Sequence, residues 1–346
     1  MALRFGLIGC GGIGQLRADA ITGSAGHTLT AVTDIDPARA ASVARPHGAA
    51  IEKDWLAMVR RADVDAVIVS TPPSLHAEMG IEALRAGKHV LCEKPLARNP
   101  EECREMISAA HQSKRLLATG FNYRFYPSIL KARELLDSGI IGELDHVRSY
   151  TGYSATEHTH TWLHEADTMG GGALRDNGIH LIDLTRYFLG EVASVQGSTS
   201  NAVWKFPGCE DNGFAILRGT TGKLASLHAS WTEWSGYKFR VEIYGSRGCI
   251  RASCFPMTTE VIWASVTGGK PNRKRHLFPF VHLMEHLRSY RWVVVKSFIE
   301  ELQAFEAAAA GKPSALASGE DGLRTIEIAQ AAALRSPAEV LHAGKT

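Results

Sequence analysis

The chain has 346 residues, 45% of them hydrophobic and 21% charged, the make-up of a globular enzyme long enough for two domains. Lys and Arg exceed Asp and Glu only by 38 to 36, so there is no basic field for a nucleic acid and no case for a membrane surface. The six cysteines lie apart with no C-x-x-C pair, no window is long and apolar enough for a membrane span, and no charged leader precedes the first strand; a soluble, cytoplasmic, unprocessed protein is expected.

The first predicted strand, Leu3–Ile8, runs straight into Gly9-Cys-Gly-Gly-Ile-Gly14 and then a helix to about Ile21. This is G-x-G-x-x-G between strand and helix, the context in which Gly9 makes the tight turn, Gly11 admits a pyrophosphate and Gly14 lets the helix pack closely. Gly9, Gly11, Gly12, Ile13 and Gly14 are therefore candidate cofactor contacts. A second strand, 27–33, ends at Asp34, twenty residues after Gly14. That is the place for the acid that accepts the ribose hydroxyls and repels a 2′-phosphate, which favours NAD over NADP. Asp36 is placed either to share that role or to cap a helix opened by Pro37.

Alternation continues through strand 64–70, helix 75–86, strand 89–92, helix 100–113 and strand 115–119. Residues 1–120 thus read as a doubly wound parallel sheet, a Rossmann domain. Ligands of such sheets sit at the carboxyl ends of strands, where Thr71-Pro-Pro-Ser-Leu-His76 and Glu93-Lys-Pro95 fall. Thr71, Pro72, Pro73, His76, Glu93 and Lys94 join the cofactor candidates. A lysine so placed can hold a nicotinamide ribose and a substrate hydroxyl together and ease proton removal electrostatically.

From residue 121 to 346 the pattern changes to one helix, 126–138, and then strand-like runs at 144–150, 192–203, 213–218, 224–231, 239–244, 249–253 and 260–265. These predict an α+β domain on a large, open, mostly antiparallel sheet, closed by helices 293–310 and 318–333. The basic run Lys270–His276 reads as a solvated loop. Within this half, 175–189 predicts a helix that carries Asp176, His180 and Asp183 on one face, so that a carboxylate orients the imidazole for acid/base work. The acids and histidines of Glu157-His-Thr-His160, His164 and Glu165 have spacings that could hold zinc, but with no second cluster they read as a substrate-lining loop, and no metal is expected.

The sequence resembles the Gfo/Idh/MocA oxidoreductases, named for glucose-fructose oxidoreductase and inositol dehydrogenase. The likeness is carried by Gly9–Gly14, T-P-P-S-L-H at 71–76, E-K-P at 93–95, G-F-N-Y-R-F-Y-P at 120–127, S-G-I-I-G-E at 138–143, G-G-G-A-L-R-D-N-G-I-H at 170–180 and Y-G-S-R-G at 244–248. It implies Lys94, Asp176 and His180 as the catalytic set, with Tyr123, Arg124, Trp162, Asp176 and His180 against the substrate. Leu163 and His164 follow Trp162, where many relatives have an Arg beside the loop tryptophan. The resemblance also implies a homodimer or homotetramer joined through the open sheet face, on which Trp231 and Trp263 are expected. The leading reading is NAD-dependent hydride transfer from a secondary alcohol of a sugar or cyclitol. A nucleotide-sugar or cofactor-recycling oxidoreductase, or a silent NAD-binding sensor, stands as the alternative.

Overall fold

The computed structural model describes residues 2–158 and 161–334. Its first sheet holds six strands in the order β3-β2-β1-β4-β5-β6, all parallel. They are β1 (Arg4–Ile8), β2 (Thr28–Thr33), β3 (Ala50–Ile51), β4 (Ala66–Val69), β5 (His89–Glu93) and β6 (Leu117–Gly120). Helices α1 (Gly12–Gly23), α2 (Pro37–His47), α3 (Trp55–Val59), α4 (His76–Arg85) and α5 (Pro100–Ser113) alternate with them. Every side chain of β4 is buried, as a strand covered on both faces requires. Asp36 caps α2 by accepting from the N–H groups of Ala38 and Arg39, and Asn99 caps α5 through Glu102 N–H, so both helices start where Pro37 and Pro100 permit.

After α6 (Pro127–Asp137), β7 (Leu144–Gly152), α7 (Ala166–Met169) and α8 (Gly178–Leu189) come β8 (Val192–Ser200), β9 (Asn212–Gly219), β10 (Leu224–Ser230), β11 (Lys238–Gly245), β12 (Gly248–Cys254), β13 (Met257–Trp263) and β14 (Asn272–Leu277). They form an eight-stranded sheet, β14-β13-β12-β11-β7-β10-β9-β8, antiparallel except where β7 and β10 run side by side. Helices α6, α8 and α11 (Gly319–Ala333) cover one face; between them in sequence lie α9 (Pro279–Arg288) and α10 (Arg291–Ala309). Instead of staying with this sheet, α10 returns to the first one: Phe298, Ile299, Leu302 and Phe305 share a buried cluster with Phe5, Leu7 and Leu29. The backbone just before α11 also adds to the edge of β6, where Thr119 N–H donates to Ala317.

Three sequence expectations are corrected. The basic run 270–276 is not a loop but mostly edge strand β14, paired with β13; exposed Arg and Lys are a way of keeping an edge unpaired in solution. Trp231 is fully buried, and Trp263 packs on the main core beside the Thr259 face that meets α6, so neither lies on the open face. What that face does carry is Phe214, Ile216 and Leu224, respectively 51%, 54% and 41% exposed. Finally, α8 begins at Gly178 rather than Arg175. Lys94 Nζ takes the Asp176 carbonyl at 3.0 Å, the group a continuous helix would give to His180 N–H, which instead donates to Asn177.

Candidate active site

Two loops at the carboxyl ends of the first sheet make a place for a dinucleotide. Gly9 has φ +93°, and a Cβ there would stand 2.6 Å from Ser70 O, while one at Gly14 would stand 2.0 Å from Gly9 O. Both positions therefore exclude a side chain, for conformation at the first and contact at the second. Built Cβ atoms at Gly11 and Gly12 meet nothing within 4 Å, so the N-terminus of α1 opens to solvent, with its unpaired N–H groups available to a pyrophosphate. Ile13 is exposed beside them. Asp34, at the end of β2, accepts from Cys10 N–H at 2.7 Å and Asp36 N–H at 2.8 Å. Those bonds fix its carboxylate at the mouth of the loop and leave each oxygen a second lone pair for a ribose hydroxyl. Asp36 itself is spent on the α2 cap.

The T-P-P loop and the E-K-P turn are tied together. Pro73 starts a short 3₁₀ turn after Pro72, and Thr71 lends its carbonyl to His76 Nε2 at 2.7 Å, while His76 Nδ1 lies 2.9 Å from Pro95 O. His76 is wholly buried, so it acts as a strut between the loops and is not itself open to a cofactor. Burial also holds its pKa below the usual imidazole value.

Lys94 projects from the end of β5 to Asp176. Its Nζ donates to the Asp176 carbonyl and, at 3.2 Å, to Oδ1. Tyr153 Oη donates to Asp176 Oδ2 at 2.6 Å, and so does Trp231 Nε1 at 3.2 Å. Burial alone would push the Asp176 carboxyl up; Lys94 first, then Tyr153 and Trp231, overcome it and leave the pKa lowered. Asp176 is therefore an anion held by three donors, and it orients Lys94. The expected bond from Asp176 to the imidazole is not formed: His180 stacks on Tyr123 with ring centroids 4.1 Å apart, and among the described residues its Nδ1 has no hydrogen-bond partner. Burial, and secondarily Lys94, drives its pKa well below the ordinary value, so the ring is neutral.

Other expected contacts divide. Tyr123 supports His180 and spends its hydroxyl on Tyr237 Oη at 2.7 Å. Arg124 is turned away from the lysine: its guanidinium grips Asp183 at 2.5 Å and Asp321 at 3.2 Å, an interior ion pair that leaves no role for it against a substrate. Asp183 is thereby also withdrawn from the imidazole. Trp162 is 39% exposed, on a short turn whose His164 meets Trp231 edge-on. The side chains of the run 157–160 lie outside the described residues; among the described residues no group of His, Cys, Asp or Glu is gathered to hold a metal. Sequence reasoning misses Tyr153 and Trp231. They follow the paired ends of the parallel neighbours β7 and β10, where Gly152 aligns with Ser230, and an aromatic with a polar tip just past a strand end is the signal that could find them.

A Rossmann sheet with an open glycine loop, an acid at the end of its second strand and a lysine–carboxylate pair beside a neutral imidazole fits an NAD-dependent oxidoreductase. Residues 3–121 match the oxidoreductase family with NAD-binding Rossmann fold, and residues 129–251 match the GFO/IDH/MocA C-terminal domain. The chain belongs to the Gfo/Idh/MocA family. It is 33% identical to inositol 2-dehydrogenase of Rhizobium meliloti, with 98% of each chain covered. It is 31% identical to myo-inositol 2-dehydrogenase of Thermotoga maritima over 95% of each. Levoglucosan dehydrogenase in complex with NADH superposes with a TM-score of 0.84 at 25% identity, covering 95% of both chains. No helix among the described residues is long and apolar enough to cross a membrane.

Proposed function

We propose that the protein oxidises a secondary ring hydroxyl of a cyclitol or sugar, with Lys94, Asp176 and His180 as its catalytic set. The observation that carries this reading is the Lys94 ammonium, fixed by an ionised Asp176 that three donors hold in place. Two of the Lys94 N–H bonds go to Asp176, and the remaining one is free to meet a substrate oxygen. The neutral His180 accepts the hydroxyl proton, and the ammonium stabilises the oxyanion that forms as it leaves. NAD, when bound by Gly9–Gly14 and Asp34, supplies the hydride acceptor. The named activities of the inositol and levoglucosan dehydrogenases support a cyclitol or anhydrosugar as the first substrates to try.

The test is reduction of NAD with a panel of inositols, aldoses and levoglucosan. Lys94→Met and His180→Ala should each lower kcat by about 10²-fold or more on the best substrate; full turnover by either variant refutes its catalytic role. The apolar patch of Phe214, Ile216 and Leu224 supports a homo-oligomer joined through the open sheet face. The free, buried state of all six cysteines accords with a cytoplasmic setting.

A further inference from the structure

Behind the lysine turn lies a second ionic cluster that the proposed chemistry does not use. Arg17, on α1 one turn past Gly14, has no exposed surface. Its Nε donates to Glu93 Oε1 at 2.6 Å and its Nη1 to Glu301 Oε2 at 2.5 Å, while the guanidinium lies 3.7 Å over the Phe298 ring. Glu301 is also fully buried. Among the described residues Arg17 Nη2 and Glu301 Oε1 have no hydrogen-bond partner. Gly120 makes room for the cluster: a Cβ there would stand 2.8 Å from Arg17 Nη2 and 3.2 Å from Glu93 Oε2.

One cation between two buried carboxylates leaves an uncompensated charge, and apolar residues of equal volume would stabilise the fold at least as well. The three members instead join the helix of the cofactor loop, the strand end that carries Lys94 and the returning helix α10. The far end of the cluster reaches the lysine through Glu93, whose Oε2 accepts from Lys94 N–H at 3.4 Å. We propose that Glu301 is a positioning residue for Lys94, acting through Arg17 to hold the Glu93 carboxylate against the lysine turn. This rests on the catalytic role proposed for Lys94.

The cluster responds to pH. Burial raises the Glu301 pKa to about 7; Arg17 opposes the rise, Glu93 adds to it, and Arg124 from the segment after β6 lowers it slightly. Below neutrality Glu301 is uncharged and anchors the guanidinium only as a neutral acceptor; above it the Glu301 anion completes the ion pair that fixes Arg17, and through it the Glu93 carboxylate. Because the folded value lies above the ordinary one, the stability Glu301 contributes is full below the ordinary carboxyl range and is lost as pH rises through about 7.

Glu301→Gln keeps the shape and fixes the uncharged form. Its kcat at pH 6 should match the parent protein, and at pH 8 it should fall by about fivefold with the substrate KM unchanged. Its Tm should lack the decline with rising pH that the raised Glu301 value leads one to expect in the parent. Equal kcat at both pH values, or an equal loss at both, overturns the proposal. Glu301→Met, of similar volume, gives the same comparison if the Gln variant does not fold. Acetylation of Lys94 by acetic anhydride, followed by peptide mass, separates this proposal from the proposed activity. A difference between parent and variant at pH 8 but not pH 6 supports the positioning role even if no sugar is oxidised, and no difference at either pH counts against it.

Discussion

Asp34 and Asp176 show how one residue type takes opposite tasks from its surroundings. Asp34 is partly exposed and pinned by two backbone N–H groups, a carboxylate with lone pairs left over for the neutral hydroxyls proposed for it. A 2′-phosphate would bring a dianion against it, and Arg39, a helical turn on, pairs with Asp36 at 3.4 Å and would have to reorient to compensate. Asp34→Ser should weaken NAD by about 1–2 kcal/mol, the loss of a charge-assisted hydrogen bond, and narrow the preference over NADP. The ratio of kcat/KM for the two cofactors in parent and variant measures this; a parent that prefers NADP contradicts it. Asp176 is buried and must be paired. Its pKa is lowered, so its contribution to stability is present above the ordinary carboxyl value and is lost as pH falls through the lower, folded one. Asp176→Asn should therefore flatten the acid limb of the Tm-versus-pH curve as well as lower kcat, whereas an unchanged acid limb would show that the ion pair with Lys94 does not govern acid stability.

At the scale of elements, the caps and the edge carry the testable content. Ser318 and Asp321 form a reciprocal capping box at the start of α11, while Asp321 also pairs with Arg124 and Arg186. Ser318→Ala should cost about 1 kcal/mol, read as a fall in Tm with the cofactor affinity unaltered. In β14, Arg273, Lys274 and Arg275 are exposed on a strand with one unpaired side. Replacing all three by Thr should raise light scattering on standing, and scattering that stays at the parent level would show that the edge is guarded by something else. Most strands and helices are legible in the sequence because glycine, proline and periodicity mark them locally: the predicted helix 100–113 matches α5 to the residue. β14 is not legible, because its side chains read as solvated and its pairing is decided by β13. The start of α8 is hidden for a related reason, since the Asp176 carbonyl is claimed by a lysine 82 residues away. The same distance explains the site. Motifs bring Lys94, Asp176 and His180 together, but which of them Asp176 binds depends on Tyr153 and Trp231, which only the fold delivers.

For the whole molecule, two packing decisions matter. The open face of the second sheet concentrates apolar side chains at β9 and β10, where Phe214 stacks on His228 at 3.9 Å, and a charged ladder toward β13, where Arg251 joins Glu242 and Glu260. Phe214→Glu with Ile216→Glu should shift a native oligomer toward monomer in sedimentation, and an unchanged size would place any interface elsewhere. The return of α10 has a consequence for how the protein is made. The first 120 residues leave the ribosome as a nearly complete sheet, yet the surface that Phe298, Leu302 and Phe305 cover stays wet, and Arg17 has no Glu301, until some 180 further residues have been synthesised. The nascent nucleotide-binding half must therefore wait, sticky and unfinished, until α10 has been made, and a chain cut short anywhere before α10 is a natural client for chaperones.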